Sequence, residues 1–132
     1  MNREIPQKGR ETILVVDDEE MIRDFAHEAL QEFDYNVLTA SSGEEALQMY
    51  TDNHANIDLV VMDIGMPGMG GHKCLSAIMR FDPAAKVLVA SGYTMDEKVK
   101  QSMEAGAAGF LGKPYQLNNF LNTVRDVLDG KG

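Results

Sequence analysis

Cysteine is nearly missing from this chain: Cys74 is the only one, which excludes an internal disulfide and agrees with a reducing compartment. Basic residues are also few, 12 Lys and Arg against 21 Asp and Glu. The resulting net charge of -9 argues against a general affinity for nucleic acid, which needs a basic face. No apolar run approaches the roughly 20 residues of a membrane span, so no membrane insertion is expected. The amino end, Met1-Asn2-Arg3-Glu4-Ile5-Pro6, lacks the hydrophobic core of a signal peptide, and the expected location is the cytoplasm. Neither a Gly-x-Gly-x-x-Gly nor a phosphate-binding loop follows the first apolar segment, which leaves a nucleotide-binding domain a distant reading. There is no repeat, low-complexity segment or internal linker.

What remains is a chain of 132 residues with 44% hydrophobic composition, sized for a single domain with one sizeable core. Its densest apolar stretch is Ile57-Asp58-Leu59-Val60-Val61-Met62-Asp63, which reads as a strand buried on both faces. The strand ends in a carboxylate, Asp63, and then in a loop kept irregular by Pro67 and by Gly65, Gly68, Gly70 and Gly71. A charge at the end of a buried strand is costly unless it is solvated, paired or metal-bound.

In chain order, residues 1–11 read as a tail or linker and 12–129 as the domain, with 130–132 a second tail. Residues 12–16 form a buried strand ending in Asp17-Asp18-Glu19-Glu20. Ile22, Phe25, Ala26, Ala29, Leu30 and Phe33 then mark one face of a helix, with acids in its first turn where the dipole favours them. Residues 36–40 are a shorter strand. Ser42-Gly43-Glu44-Glu45 is a capping box opening a second helix with Ala46, Leu47 and Tyr50 inward. After Gly71 a third helix runs to about Phe81 with Cys74, Leu75 and Ile78 inward, and Asp82-Pro83 stops it. Residues 86–90 are a fourth strand ending at Ser91-Gly92. Thr94-Met95-Asp96-Glu97 is another capping box, for a helix whose inward stripe is mainly Val99 and Met103 and which Gly106 closes. Residues 108–111 form a fifth strand ending at Gly112-Lys113-Pro114. The last helix buries Leu117, Phe120, Leu121, Val124, Val127 and Leu128.

Strict alternation of short apolar strands with helices predicts an α/β fold, a doubly wound parallel five-stranded sheet covered on both faces. Ligands of such sheets bind beyond the carboxyl ends of the strands. Asp17, Asp18, Asp63, Ser91 and Lys113 all fall at those ends. Three carboxylates on one rim repel unless a cation sits among them, and hard oxygen donors without a histidine or cysteine cluster suit Mg²⁺. A metal, an ammonium and a hydroxyl around one carboxylate are the parts that hold a phosphoryl group in transfer. Asp63 is then a nucleophile able to carry phosphate as a mixed anhydride.

Asp17-Asp18, the strand-end Asp63 followed by Met66-Pro67 and Gly71, Ser91-Gly92, and Lys113-Pro114 together closely resemble response-regulator receiver domains, over residues 12 to about 128. The resemblance implies a flavodoxin-like (βα)5 fold with strand order 2-1-3-4-5. It implies a phosphoacceptor switch of a two-component phosphorelay, in which Asp63 takes phosphate from a phosphohistidine on a histidine kinase or histidine phosphotransfer domain. Asp18, Asp63 and the backbone carbonyl of Gly65 would bind Mg²⁺, with Asp17 acting through water. Lys113 would contact the phosphoryl oxygens, and Lys113-Pro114 would be a cis peptide. Ser91 and Phe110 would be the switch pair read out by the face of the fourth helix, fifth strand and fifth helix, and a phosphorylation-dependent dimer is a further expectation. Phe110 lacks the hydroxyl of the tyrosine often found there, and Gly70 stands where Asp or Asn is common, which should loosen the loop before the third helix. The glycine-rich loop and Ser91-Gly92-Tyr93 look like receivers appended to hybrid histidine kinases.

The remaining polar residues read more plainly. Cys74 is expected in the core, His27, His54 and His72 toward solvent, and Met66 and Met69 packed over the loop. The competing function is an aspartyl-phosphate phosphatase or phosphotransferase of haloacid-dehalogenase type. That class carries an Asp-x-Asp pattern on its first strand and a cap, whereas Asp17 and Asp18 are adjacent and no insertion is long enough for a cap. On the receiver reading the protein is not an enzyme, beyond taking up its own phosphate and losing it slowly.

Overall fold

The strands each carry two interleaved sets of apolar side chains, and the two sets build two separate cores. In the computed structural model, which describes residues 8–92 and 97–131, the elements are β1 (Thr12–Val16), α1 (Glu20–Glu32), β2 (Asn36–Ala40), α2 (Gly43–Asn53), β3 (Leu59–Asp63), α3 (Gly70–Phe81), β4 (Val87–Ser91), α4 (Glu97–Glu104), β5 (Gly109–Gly112) and α5 (Leu117–Leu128). A single 3-10 turn, His54–Asn56, joins α2 to β3. All pairings are parallel, in the order β2-β1-β3-β4-β5. Because successive side chains point to opposite faces, Leu14, Val16, Val60, Met62, Val87 and Val89 meet α2, α3 and α4 on one side. Ile13, Val15, Leu59, Val61, Leu88 and Ala90 meet α1 and α5 on the other. The chain thus has the doubly wound fold expected of it.

The elements differ from expectation where packing overrode the letter pattern. In α4 the buried side chains are Val99 and Ser102, while Met103 is 42% exposed. Ser102 occupies the inward phase and its hydroxyl lies 3.4 Å from His72 Nδ1, so His72 is half-buried between α3 and α4 rather than solvent-facing. In α5, Leu117 is 43% exposed, and in α1 Phe25 is 37% exposed, each at the rim end of its stripe. Met66 is buried in the core beside α3. Ser42 caps α2 by accepting a hydrogen bond from Glu45 N–H at 3.1 Å, but the Glu45 carboxylate answers to Ser41 N–H (2.7 Å) rather than to Ser42. The Thr94 box falls on residues 94–96, outside the described residues.

Residues 8–11, expected as tail, lie along the domain. Gly9 N–H donates to Phe33 C=O at 2.9 Å, and the Arg125 guanidinium of α5 grips the Glu11 carboxylate at 2.6 Å. Arg125 also donates to Tyr35 Oη (3.2 Å) and Asp129 (2.9 Å), which joins β1, β2 and α5 at the end of the sheet away from the rim.

Candidate functional site

Four strands end on one rim, and backbone hydrogen bonds to neighbouring strands fix where they end. Asp17 follows β1, and its N–H donates to Ala40 C=O at 3.2 Å. Asp63 closes β3, and the next residue, Ile64, donates to Ala90 C=O of β4 at 3.0 Å. Lys113 follows β5 and donates its N–H to Ser91 C=O at 2.9 Å. The Lys113–Pro114 peptide bond is cis.

The side chains converge. Lys113 Nζ lies 3.1 Å from Asp17 Oδ2 and 3.3 Å from Asp63 Oδ2, so one ammonium bridges two buried acids from different strands. Asp17 Oδ1 accepts from Glu19 N–H at 2.9 Å, at the mouth of α1, and Asp63 Oδ1 accepts from Gly65 N–H at 3.0 Å. Arg23, one turn into α1, donates to the Asp17 carbonyl at 2.8 Å. Asp18 is exposed, and one carboxylate oxygen from each of Asp17, Asp18 and Asp63 lies within 4.8 Å of the others. Burial pushes the Asp17 carboxyl above its ordinary range, and the Asp63 charge adds to that against the pull of Glu19 N–H and Lys113. Burial alone would lower Lys113, but its hydrogen bond to Asp17 and the charges of both acids raise it above the usual lysine value. The ammonium is therefore the settled charge of the group.

Above these residues opens a cleft of about 570 Å³, lined among the described residues by Asp18, Glu19, Asp63, Ile64, Gly65, Ser91, Gly92, Glu97, Lys98 and Lys113. Ser91 is buried at the end of β4, two residues beyond Val89, whose register partner on β5 is Phe110. Phe110 is half-buried and packs on the α3 and α4 side, the same face as Val89. All the predicted rim residues thus meet at one place, with Phe110 set back within the sheet.

Sequence reasoning missed Lys98 and Glu97, which bring a second cation and a further acid to the cleft from the start of α4. It also missed Tyr115, whose ring stacks on Phe120 at 4.9 Å and lies 6.3 Å from Phe25. Burial, followed by the charges of Asp17 and Asp63, raises the Tyr115 hydroxyl well above its usual range. Its one sequence signal is its place directly after Lys113-Pro114. The donor set is all oxygen, with carboxylates from two strands and no histidine or cysteine among them, which fits Mg²⁺.

The family model of the response regulator receiver domain matches residues 13–125. The chain belongs to the response-regulator receiver family. It is 36% identical to the chemotaxis protein CheY of Halobacterium salinarum over 116 residues, covering 88% of this chain and 95% of that one. It is 35% identical to the sensor kinase CckA of Brucella abortus, where the match covers 92% of this receiver and 13% of the kinase. Among solved structures, a chain of the CheX-CheY-BeF3-Mg complex of Borrelia burgdorferi superposes with a TM-score of 0.85 at 35% identity, over 93% of this receiver and 90% of that chain. This receiver is a phosphoacceptor of two-component signalling, and nothing found favours the phosphatase alternative.

Proposed function

We propose that Asp63 is the phosphoacceptor of this receiver, with Lys113 and Ser91 as the groups that meet the incoming phosphoryl oxygens. The observation that carries the reading is the Lys113 ammonium lying 3.3 Å from Asp63 at the floor of an open cleft. Asp63 presents an ionisable oxygen at the end of a rigid, fully buried strand, and Gly65 N–H fixes its rotation from the other side. The donor is a phosphohistidine on a histidine kinase or histidine phosphotransfer domain in the cytoplasm. An Asp63 oxygen forms the new P–O bond as the P–N bond breaks, and the leaving imidazole nitrogen keeps the electron pair and takes a proton. Lys113 stays protonated throughout and pairs with the transferred group. Asp17, Asp18, Asp63 and the Gly65 carbonyl would hold Mg²⁺. When bound, the ion supplies positive charge to the phosphoryl oxygens.

The phosphoryl adds close to two negative charges beside Ser91, the nearest neutral donor on the rim. Movement of Ser91 toward it vacates space on the face where Phe110 packs, so the change is read on α4, β5 and α5. A phosphorylation-dependent dimer through that face is part of the same reading, as is the lack of catalytic turnover. The test is chemical. With acetyl phosphate and Mg²⁺ the intact mass should rise by one phosphate, and alkaline hydroxylamine should remove it. A label that persists in Asp63→Asn, or that resists hydroxylamine, contradicts the assignment.

A further inference from the structure

We infer that Gly71, with Gly43 behind it, is a positioning residue for Asp63: the two glycines let the start of α3 press directly on the main chain that carries the acceptor. The inference rests on the reading of Asp63 as acceptor. Gly71 is buried in the first turn of α3. A β-carbon there would overlap the Asp63 carbonyl oxygen, and would lie 2.5 Å from Ile64 Cα and 2.8 Å from the Asp63 carbonyl carbon. These are backbone atoms, and no side-chain rotation relieves the overlap. Nor can the end of β3 simply retreat, because Ile64 N–H is tied to Ala90 C=O on β4 at 3.0 Å.

The other way to make room is to lift α3, and α2 blocks it. Gly43, the buried first residue of α2, faces the same turn. A β-carbon at Gly43 would stand 3.2 Å from the Gly70 carbonyl oxygen and 3.4 Å from Cys74 Cβ. Cys74 Sγ–H also donates to Gly43 C=O at 3.3 Å, drawing the two helix starts together. Three backbones are therefore stacked without intervening side chains: α2 on α3, and α3 on the residue whose carboxylate meets Lys113. A small displacement of a reacting group is expensive, since about 1 Å of misplacement costs on the order of 10²-fold in rate.

The experiment compares Gly71→Ala, Gly43→Ala and Gly109→Ala with the natural chain. Gly109 is the control, because its β-carbon would crowd side-chain ends in the core, Leu88 Cδ1 at 3.1 Å and Val127 Cγ2 at 3.5 Å. Three quantities are read: phosphate uptake from acetyl phosphate by intact mass, the thermal midpoint, and the amide shifts of Ile64 and Gly65 without donor or Mg²⁺. Gly71→Ala should slow uptake about 10- to 100-fold and Gly43→Ala about 2- to 5-fold, with Ile64 and Gly65 amides moved in both. Gly109→Ala should lower the midpoint and leave the rate alone. Uptake at the natural rate in Gly71→Ala, or rates that simply follow the midpoints of all three variants, would overturn the inference. If Gly71→Ala does not fold, Gly43→Ala against Gly109→Ala decides it, and equal rates overturn it. If the natural chain takes no phosphate, the Asp63 reading fails, and unmoved Ile64 and Gly65 amides in Gly43→Ala would end this one separately.

Discussion

Lys113 serves two carboxylates at once, and a third carboxylate stands close by. Three carboxylates against one ammonium leave two negative charges in a space of a few ångströms, the charge that one divalent cation cancels. Asp17 and Asp63 already share the lysine, whereas Asp18 is exposed and turned to the cleft. Asp18→Ala should therefore weaken Mg²⁺ binding at least about tenfold, since even outer partners of a ligand are worth about 10–100-fold. Stability without metal should change by less than about 0.5 kcal/mol, as for other exposed positions. Calorimetric titration with Mg²⁺ measures the first and thermal unfolding the second; unchanged affinity in Asp18→Ala would rule this site out.

Among the elements, α4 is the least anchored that borders the cleft. Among the described residues, it spans 8 with Val99 and Ser102 buried, against 13 with Ala26, Ala29 and Leu30 buried in α1. Few buried apolar contacts mean low local stability, so on the proposed switch reading α4 is the element most easily displaced by a shift of Ser91 and Phe110. Amide exchange should be faster in α4 than in α1. Beryllofluoride with Mg²⁺ should alter protection within 97–115, and a change confined to the neighbourhood of Asp63 would count against readout through α4. The weakness of α4 was visible in its letters, but its phase was not. Val99 and Met103 are four apart and both apolar, yet the side chain actually inside at that turn is the small Ser102, placed by its approach to His72 on α3. Strand ends were easier to read, because a buried run stopping at Asp17, Asp63 or Ser91 has one meaning in a parallel sheet. Lys98 was not legible, since nothing local distinguishes it from an ordinary exposed lysine, and Tyr115 offered only its place directly after Lys113-Pro114.

At the scale of the whole molecule, the clamp of Arg125 on Glu11 joins residues 114 positions apart and closes the end of the sheet opposite the cleft. No window of sequence contains both partners, which is why residues 8–11 read as tail. The hydrogen bond to Arg125 holds the Glu11 carboxyl down at about 2, below its ordinary 4.5. A lowered acid stabilises the fold above its unfolded value and loses that contribution as pH falls through the folded one. Glu11→Gln should thus cost about 0.5–1 kcal/mol at neutral pH, typical of a partly exposed pair. The natural chain should then lose its advantage over Glu11→Gln between pH 4.5 and about 2. Thermal unfolding of both chains across that range checks it, and a difference independent of pH would assign the effect to packing instead.

Cys74 has a consequence for anyone wishing to watch this molecule. Its thiol is fully buried, hydrogen-bonded to Gly43, and pushed up to about 11 by burial and by the Glu44 charge. At neutral pH the thiol stays protonated, and the buried sulfur has no path to a reagent. The natural chain is in effect silent toward thiol-directed labels. A cysteine introduced on the exposed side of α4, at Gln101 for instance, would be the one fast-reacting sulfur in the native protein. A dye or spin label could be placed there with the native cysteine left where α2 and α3 need it.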